Sequence, residues 1–275
     1  MKVLLFGPNG MLGRYIFAYL KQFPKYDVVP IDRKTFEVGV DSINDLDEIV
    51  FEYYSDEMII INCIGLIPQN IKKVGDINME KREYYLVNSI FPIKLASIAE
   101  KYGLRMIHIT TDCVFDGKIG KYNEIDYHSE TNDYGLSKSL GEPDNCCIIR
   151  TSIIGEELEN KRSLLEWVRS NKDGEINGYA DHYWNGITCL QVAKIIDEMI
   201  EKDIYWMGVR HIFSPTSFSK YEIVKMINDI YELNIKINQI KCEKVDKTLA
   251  TLHGNIFYIP ELWKQIEEMR KFNLK

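Results

Sequence analysis

The sequence predicts an α/β fold built on a doubly wound parallel sheet. Three observations lead to this prediction. Short apolar strands alternate with helical stretches over the first 150 residues, the strands lack polar alternation, and a glycine-rich turn joins the first strand to the first helix. Alternating strands and helices are typical of a parallel sheet, and unbroken apolar strands indicate burial on both faces. We therefore expect a Rossmann-type sheet followed by a smaller C-terminal α/β part.

The first half of the chain is read as strand–helix units. Strands are predicted at Lys2–Phe6, Asp27–Ile31, 57–62, 105–110 and 146–150. Helices are predicted at 11–22, 43–53 and 79–102, because their apolar residues recur at helical spacing. Pro92 predicts a kink or break within the third of these helices.

Past residue 150 the alternation of strands and helices becomes less regular. Helices are predicted at 163–170, 188–202, 219–233 and 261–272, with a strand at 209–213 and an edge strand at 235–240. Ser219 and Glu222 form a capping-box pattern that marks the start of the third helix. We expect the main domain to comprise 1–150 with about 187–213. The smaller part would comprise about 151–186 and 214–275, with no Gly/Ser linker between the two.

Composition excludes several classes of protein. The chain has 275 residues, of which 45% are apolar and 27% charged, as in ordinary globular enzymes. A net charge of −7 argues against a nucleic-acid partner, because phosphate backbones attract an excess of Lys and Arg. The apolar run ending at Gly7 is too short for a signal peptide, and no membrane span is predicted. The six cysteines show no C-x-x-C pair, which indicates reduced thiols and a cytoplasmic location, and no metal site is expected.

The turn after the first strand has the pattern G-x-x-G-x-x-G. Glycines allow backbone amides to approach a pyrophosphate, and the N-terminus of the following helix faces that charge. The pattern is a variant of the dinucleotide fingerprint, and its position one strand into the chain favours a bound dinucleotide over an empty turn. The residues expected to contact the cofactor here are Gly7, Asn9, Gly10, Met11, Leu12 and Gly13.

Asp32 lies 19 residues past Gly13, at the end of the second strand. A carboxylate at this place would accept the ribose hydroxyls of NAD. Arg33 and Lys34 follow directly and could instead bind the 2′-phosphate of NADP. A plain turn residue is the alternative for Asp32, so the choice between NAD and NADP stays open.

Tyr134 and Lys138 stand four residues apart in the segment YGLSKSLGE, on one face of a predicted helix. An ammonium near a phenol favours the phenolate and lowers the pKa of the phenol, which suits a general acid. Such a pair is common by chance. However, Thr110 and Thr111 precede it at the carboxyl end of the fourth strand, where ligands bind in open α/β sheets. A hydroxyl there could hold a substrate carbonyl oxygen.

These segments together resemble the extended short-chain dehydrogenases and, within them, the dTDP-4-dehydrorhamnose reductase group. The matching stretches are LLFGPNGMLGRYI, VNSIFPIKLASIAEKYG, ITTDCVFDGKIGKYNEID, YGLSKSLGE and RTSIIG. They cover the first 155 residues, and DHYWNGITCLQVAKII matches the group's substrate loop loosely. The resemblance implies reduction of the 4-keto group of a nucleotide-activated 6-deoxyhexulose. NADPH is slightly preferred over NADH, and a homodimer is a further expectation because many members are dimers.

The resemblance also implies residue roles. Tyr134 would protonate the alkoxide, Lys138 would tune Tyr134 and hold the nicotinamide ribose, and Thr111 would hydrogen-bond the carbonyl. Further cofactor contacts are implied for Asn62, Cys63, Ile64, Gly65, Asn88 and Thr110. The predicted substrate contacts are Thr111, Asp112, Cys113, His182 and Trp184. Trp184 could stack on a base or sugar ring. The alternative for His182 and Trp184 is a turn with a packed aromatic residue.

Cys113 departs from the group, which usually carries Tyr in T-D-Y-V-F-D-G. GDP-fucose synthase and plant rhamnose synthases, which are similar to this group, have a Cys that matches this position and acts in epimerisation. A bifunctional epimerase–reductase is therefore a second hypothesis, and a small pocket-lining residue is the plain alternative. The partner acid is not evident among Lys161, Arg162, Glu166 and Trp167.

A third hypothesis is a non-catalytic subunit, since the regulatory subunit of methionine adenosyltransferase also resembles this group. The sequence leaves the nucleotide (dTDP, UDP or GDP) open as well.

Overall fold

The computed structural model describes residues 1–71, 76–159 and 161–274. Its strands in chain order are β1 (Lys2–Phe6), β2 (Asp27–Ile31), β3 (Ile59–Asn62), β4 (Arg105–Thr111), β5 (Cys147–Thr151), β6 (Ile153–Ile154), β7 (Glu175–Tyr179), β8 (His182–Trp184), β9 (Ile187–Thr188), β10 (Gly208–His211), β11 (Phe218–Ser219), β12 (Lys236–Ile240) and β13 (Val245–Asp246). Its α-helices are α1 (Met11–Leu20), α2 (Ile43–Glu52), α3 (Ile77–Tyr85), α4 (Phe91–Lys101), α5 (Asp133–Leu140), α6 (Leu164–Ser170), α7 (Cys189–Glu201), α8 (Lys220–Tyr231) and α9 (Leu262–Lys271).

A six-stranded sheet forms the centre of the molecule, in the order β10-β5-β4-β3-β1-β2. Every neighbouring pair in it is parallel, so the predicted doubly wound α/β fold is confirmed. The chain lays β2 on one side of β1 and β3 on the other. Such a reversal opens a crevice at the carboxyl ends of the strands, where ligands bind in these folds. The glycine turn after β1 lies at this crevice.

Both faces of the sheet are buried, as the unbroken apolar strands predict. Val3 and Leu5 join the apolar core that contains α1 and α7, whereas Leu4 and Phe6 join the core that contains α2 and α4. All four side chains are fully buried. Because successive side chains of a strand point to opposite faces, a strand between two helical layers must be apolar at every position.

The helical stretch predicted at 79–102 is interrupted, as Pro92 indicates. It consists of α3, a π-helical turn at Leu86–Ile90 (the π segment) and α4, with Pro92 in the first turn of α4. Proline is tolerated there because the first amides of a helix have no partner within it. The π segment turns Asn88 and Ser89 inward, and both are buried. Widened turns of this kind often occur at functional sites.

The smaller part of the fold is held by short sheets. β7 pairs with β12, β6 pairs with β9, and β8 lies between β11 and β13. The predicted capping box of α8 is confirmed: the Ser219 hydroxyl accepts from the Glu222 amide, and the Glu222 carboxylate accepts from the Ser219 amide. The DHYWNG segment, expected as a loop, contains β8, because residues distant in sequence pair with it on both sides.

The two parts share one apolar core, which includes Val3 of β1 and Leu262 of α9. β10 lies in the central sheet and α7 packs on α1. The division into a main domain and a smaller part stays a prediction. Among the described residues, no helix combines the length and the apolar character that crossing a membrane requires.

Candidate active site

Two of the three glycines of the turn are required by close packing. Gly7 has φ +78°, and a Cβ on it would lie 3.1 Å from the backbone of Cys63 and Ile64 after β3. A Cβ on Gly13 would lie 2.0 Å from the carbonyl oxygen of Gly7. The turn is thus pressed against both α1 and the end of β3. Gly10 has more room and forms the N-cap of α1.

The N-terminus of α1 is available for an anion. Its N-cap residue, Gly10, has no side chain that could accept from the first amides of the helix. Gly10 and Met11 line a cavity with Asn9 and Arg14. The side chain of Leu12 packs in the core, so only its backbone amide can meet a ligand. Uncapped amides and the helix dipole together attract phosphate groups.

Asp32 holds a turn. Its Oδ1 accepts hydrogen bonds from the amides of Lys34 (2.9 Å) and Thr35 (3.3 Å). Arg33 and Lys34 are exposed beside it. Asp32 therefore acts as a turn residue, which was the alternative for it, and Arg33 and Lys34 are two exposed cations at the end of β2.

Thr111 and Tyr134 are brought together where β4 meets α5. The Asn132 side chain caps α5 by accepting from the Gly135 amide at 2.8 Å. Gly135 lies so close to the end of β4 that a Cβ on it would be 2.7 Å from the carbonyl oxygen of Cys113. Tyr134 consequently faces Thr111, whose hydroxyl acts to lower the pKa of the phenol.

Lys138 reaches the same place from one turn further along α5. It is buried, and a Cβ on Gly65 would lie 2.6 Å from its Nζ. Asn88 fixes this contact: its Oδ1 accepts from the Leu66 amide (2.8 Å), and its Nδ2 donates to Leu66 O (2.9 Å) and Ser137 Oγ (3.0 Å). The Asn88 amide thereby ties the loop after β3 to α5, and direct contact between Asn88 and a cofactor stays a prediction.

Burial dominates the protonation of the pair. It raises the pKa of Tyr134 well above the usual range of a phenol, with Cys113 as the next cause. The lowering expected from Lys138 is thus not found, because desolvation outweighs it, and the phenol retains its proton. Burial lowers the pKa of the Lys138 ammonium to about 8, and the Glu142 carboxylate is the largest opposing influence.

A buried ionic network behind α5 was missed by the sequence analysis. Arg150 of β5 is fully buried and binds Glu142 through both carboxylate oxygens, at 3.0 and 2.5 Å. His211 Nε2 and His128 Nε2 lie 2.8 and 2.7 Å from the same guanidinium. A buried bidentate pair of this kind is geometrically specific, and it fixes the end of α5 on the sheet. Glu142 ends the segment YGLSKSLGE and Arg150 begins the segment RTSIIG, so the two segments that resemble the family already contained the pair.

The setting of Cys113 disfavours a thiolate. Burial raises the pKa of the thiol to about 12, and the neighbouring Asp112 carboxylate raises it further. Since proton abstraction needs the thiolate, the structure favours the pocket-lining alternative. Two cations near Cys113 could not be assigned to the site from the sequence pattern. They are Lys247 and Lys220, which lie after β13 and at the start of α8.

The candidate partner acids for epimerisation, which lie within 161–167, have contacts or exposure of their own away from Cys113. Arg162 contacts the backbone of Gln69 and the side chain of Asn70. Glu166 is buried beside Arg169. Lys161 and Trp167 are exposed.

The two predicted substrate contacts of β8 have packing partners of their own. Trp184 is buried in the shared core, with Lys220 Nζ 5.3 Å from its ring centroid. The His182 ring packs against the ring of Tyr179 in a tilted arrangement, with ring centroids 4.8 Å apart. Trp184 therefore fits the alternative of a packed aromatic residue better than that of a substrate contact. A substrate contact by His182 stays a prediction.

The floor of the crevice contains polar groups that lack partners. His108 is buried with its Nδ1 3.1 Å from Asn62 Nδ2, and burial lowers its pKa to about 3, as expected for a core residue. Asn62 Oδ1 also accepts from the Ile64 amide. The hydroxyl of Thr110 has no hydrogen-bond partner among the described residues. The Nε2 of His108 lacks a partner among the described residues as well. Buried polar groups are normally satisfied, and a contact between Thr110 and a cofactor stays a prediction.

The residues present fit a nicotinamide dinucleotide. The glycine turn and the uncapped α1 match a pyrophosphate, and the Lys138 ammonium has no hydrogen bond within the described chain. A cofactor ribose would supply the acceptors that Lys138 lacks. No group of three His, Cys, Asp or Glu side chains in the described ranges could hold a metal ion.

Comparisons with known proteins find a matching family, curated relatives and solved structures of the same fold. The family described as RmlD substrate binding domain matches residues 1–250. The spore coat polysaccharide biosynthesis protein SpsK of Bacillus subtilis is 30% identical over 252 residues, covering 88% of this chain and 84% of its own. The dTDP-4-dehydrorhamnose reductase of Aggregatibacter actinomycetemcomitans is 26% identical, covering 83% and 78%. The solved dTDP-4-dehydrorhamnose reductase of Bacillus anthracis in complex with NADP shares the fold, with a TM-score of 0.79 at 22% identity and 98% of each chain covered.

Replacing Glu142 by Gln should shift the pH dependence of NADPH binding. Lys138 holds its charge below its pKa of about 8, so wild-type affinity should fall as the pH rises through that value. Without the Glu142 charge the pKa of Lys138 drops, and the midpoint should move down by roughly one pH unit. Dissociation constants from NADPH fluorescence between pH 6 and about 9.5 measure it.

Two controls separate this effect from damage to the fold. Lys138→Arg should bind NADPH with no step in this range, because a guanidinium stays charged. Glu100→Gln, at an exposed position on α4, should keep the wild-type midpoint. An unchanged midpoint in Glu142→Gln would contradict the proposed coupling between Glu142 and Lys138.

Proposed function

The chain belongs to the family described as RmlD substrate binding domain, and on this basis we propose that it reduces the 4-keto group of a nucleotide-activated 6-deoxyhexulose with NADPH. The product would serve deoxysugar biosynthesis. The observation that carries the proposal is the meeting of Thr111, Tyr134 and Lys138 at the mouth of the glycine-lined crevice. The relatives named dTDP-4-dehydrorhamnose reductase make dTDP-4-dehydrorhamnose the first substrate to test.

The residues divide the chemistry among themselves. A bound reduced nicotinamide supplies the hydride. The Thr111 hydroxyl orients the ketone by donating to its oxygen, and the Tyr134 phenol donates its proton to that oxygen as negative charge develops. The raised pKa of Tyr134 keeps the proton available until then. Lys138 holds the ribose and stabilises the phenolate that remains on Tyr134, which is then reprotonated from water.

A non-catalytic subunit with the same fold is less well supported. Such a subunit would not need a phenol that faces Thr111 beside the Lys138 ammonium, yet Tyr134 has this setting. The epimerase alternative is also weaker, because the pKa of the Cys113 thiol is raised to about 12. The nucleotide and a cytoplasmic location stay predictions.

Replacing Tyr134 by Phe should lower kcat for dTDP-4-dehydrorhamnose by roughly a hundredfold or more, because the proton donor is lost. NADPH affinity should change little. The loss of NADPH absorbance measures turnover, with the UDP- and GDP-linked hexuloses run in parallel. Tyr127→Phe is the matched control, since Tyr127 is exposed. Near-full turnover by Tyr134→Phe would defeat the mechanism, and no wild-type turnover on any of the three would favour the non-catalytic alternative.

The preference for NADPH is supported by the end of β2. The Asp32 carboxylate is engaged by the amides of its own turn, and Arg33 and Lys34 are exposed beside it. A carboxylate used in this way is less available to ribose hydroxyls, whereas the two cations suit a 2′-phosphate.

Replacing Arg33 by Ala should raise KM for NADPH by roughly tenfold, as the loss of one charged phosphate contact implies. KM for NADH should stay within about twofold. Initial rates with both cofactors give the ratio, and Lys172→Ala, an exposed change on the smaller part, is the control. Equal effects on NADPH and NADH would refute a 2′-phosphate contact.

A homodimer is supported by an apolar face on the π segment, α4 and α5. Ile90, Ile93, Leu136 and Leu140 are exposed to between 38% and 61%. The π segment packs directly on α5, so this face is shared by the elements that carry the site. Contiguous exposed apolar side chains mark interfaces, and two copies of one face form a closed two-fold dimer.

The double change Ile93→Lys and Leu140→Lys should convert the dimer to a monomer, because the charges would be buried against each other. Light scattering should give twice the 32.2 kDa of one chain for the wild type and a single chain for the variant. Phe51→Lys alters an exposed apolar residue of α2 and should leave the dimer intact. A monomeric wild type would rule out this assembly.

A further inference from the structure

We propose that Lys220 binds the diphosphate of the nucleotide-sugar substrate. This inference rests on the proposed function and adds a residue of the smaller part that selects the substrate by its charge.

The fold directs Lys220 from the smaller part towards the catalytic residues. β11 pairs with β8, and α8 begins directly after β11 with Lys220. The ammonium lies over the ring of Trp184, 5.3 Å from its centroid. Asp112, which follows Thr111 at the end of β4, is near enough for its carboxylate to raise the pKa of Lys220 against the effect of burial. Lys220 thus lies at the edge of the smaller part that is nearest to the expected position of the ketone.

The Lys220 ammonium lacks an anionic partner within the described chain. It has no hydrogen bond there and no carboxylate within 4.0 Å. Burial lowers its pKa, and Asp112 and Cys113 only partly oppose this. Lys247, the other cation facing Asp112, is paired with Glu130 at 3.3 Å. A poorly solvated charge without a partner is costly, so Lys220 is available to an incoming anion in a way that Lys247 is not.

Stability of α8 does not explain a lysine at this position. A cation in the first turn of a helix opposes the helix dipole. The N-terminus is already capped by Ser219 and Glu222. A ligand anion placed against this end would interact favourably with both the ammonium and the dipole.

The chemistry of the substrate supplies such an anion. In a nucleotide-activated deoxyhexulose the sugar ring is neutral, and the diphosphate beside it carries the charge. When the ketone meets Thr111 and Tyr134, the diphosphate lies about one sugar ring away. A diphosphate reaching Lys220 therefore satisfies the ammonium while the ketone faces Tyr134.

The test compares dTDP with thymidine, which lacks the diphosphate, by calorimetry on the full chain. Lys220→Met should weaken dTDP binding by roughly tenfold or more and leave thymidine binding unchanged. Lys220→Arg should recover much of the loss. In turnover, Lys220→Met should raise KM for dTDP-4-dehydrorhamnose with kcat within a few-fold of wild type. Lys225→Met, an exposed change on the same helix, is the control, and UDP and GDP with their nucleosides extend the comparison.

Three results with the Lys220→Met variant would overturn the proposal. The first is an unchanged affinity for dTDP, and the second is an equal loss of dTDP and thymidine binding. The third is a loss confined to kcat, which would place Lys220 at the reacting atoms. Wild type that binds none of the nucleoside diphosphates also overturns it. Because binding needs no turnover, a wild type that binds dTDP through Lys220 but reduces no hexulose would leave this inference standing and sink only the reductase.

Discussion

The close contact between α5 and the π segment is the constraint on which the site depends. A Cβ on Gly141 would lie 1.7 Å from the carbonyl oxygen of Asn88, so the two backbones touch and only glycine fits. The same Asn88 holds Leu66 through its side chain and Ser137 through its Nδ2. One residue thereby sets the distance between the helix that carries the catalytic pair and the loop that borders the cofactor crevice.

Burial at this contact acts in opposite directions on the two catalytic groups. It raises the pKa of the Tyr134 phenol and lowers that of the Lys138 ammonium, so each is pushed towards its neutral form. Glu142 limits the lowering of the Lys138 pKa, and Arg150 holds the Glu142 carboxylate in place through two hydrogen bonds. The network behind α5 therefore has an electrostatic as well as a mechanical effect. It keeps an ammonium charged in a place that solvates it poorly.

The sequence predicts the elements that local pattern determines. β1 and β2 match to the residue, because apolar runs end abruptly at glycine or at charged residues. The π segment was not predictable, since residues 79–102 keep helical spacing and their widening depends on α5. β8 was missed for a similar reason: it exists only because β11 and β13 pair with it. Lys220 belongs to no motif, and only the fold shows that it faces Asp112.

These differences follow a division of labour within the fold. The groups proposed to orient the ketone and to donate the proton lie on β4 and α5, where the resemblance is close and packing leaves little freedom, as Gly135 and Gly141 show. The groups that meet the rest of the substrate come from the smaller part, where the resemblance loosens. Short sheets there hold side chains such as Lys220 against a fixed catalytic edge. A relative can therefore change substrate by altering α8 or β8 without disturbing Tyr134. For the same reason, the identity of the nucleotide must be sought in the smaller part and not in the catalytic motif.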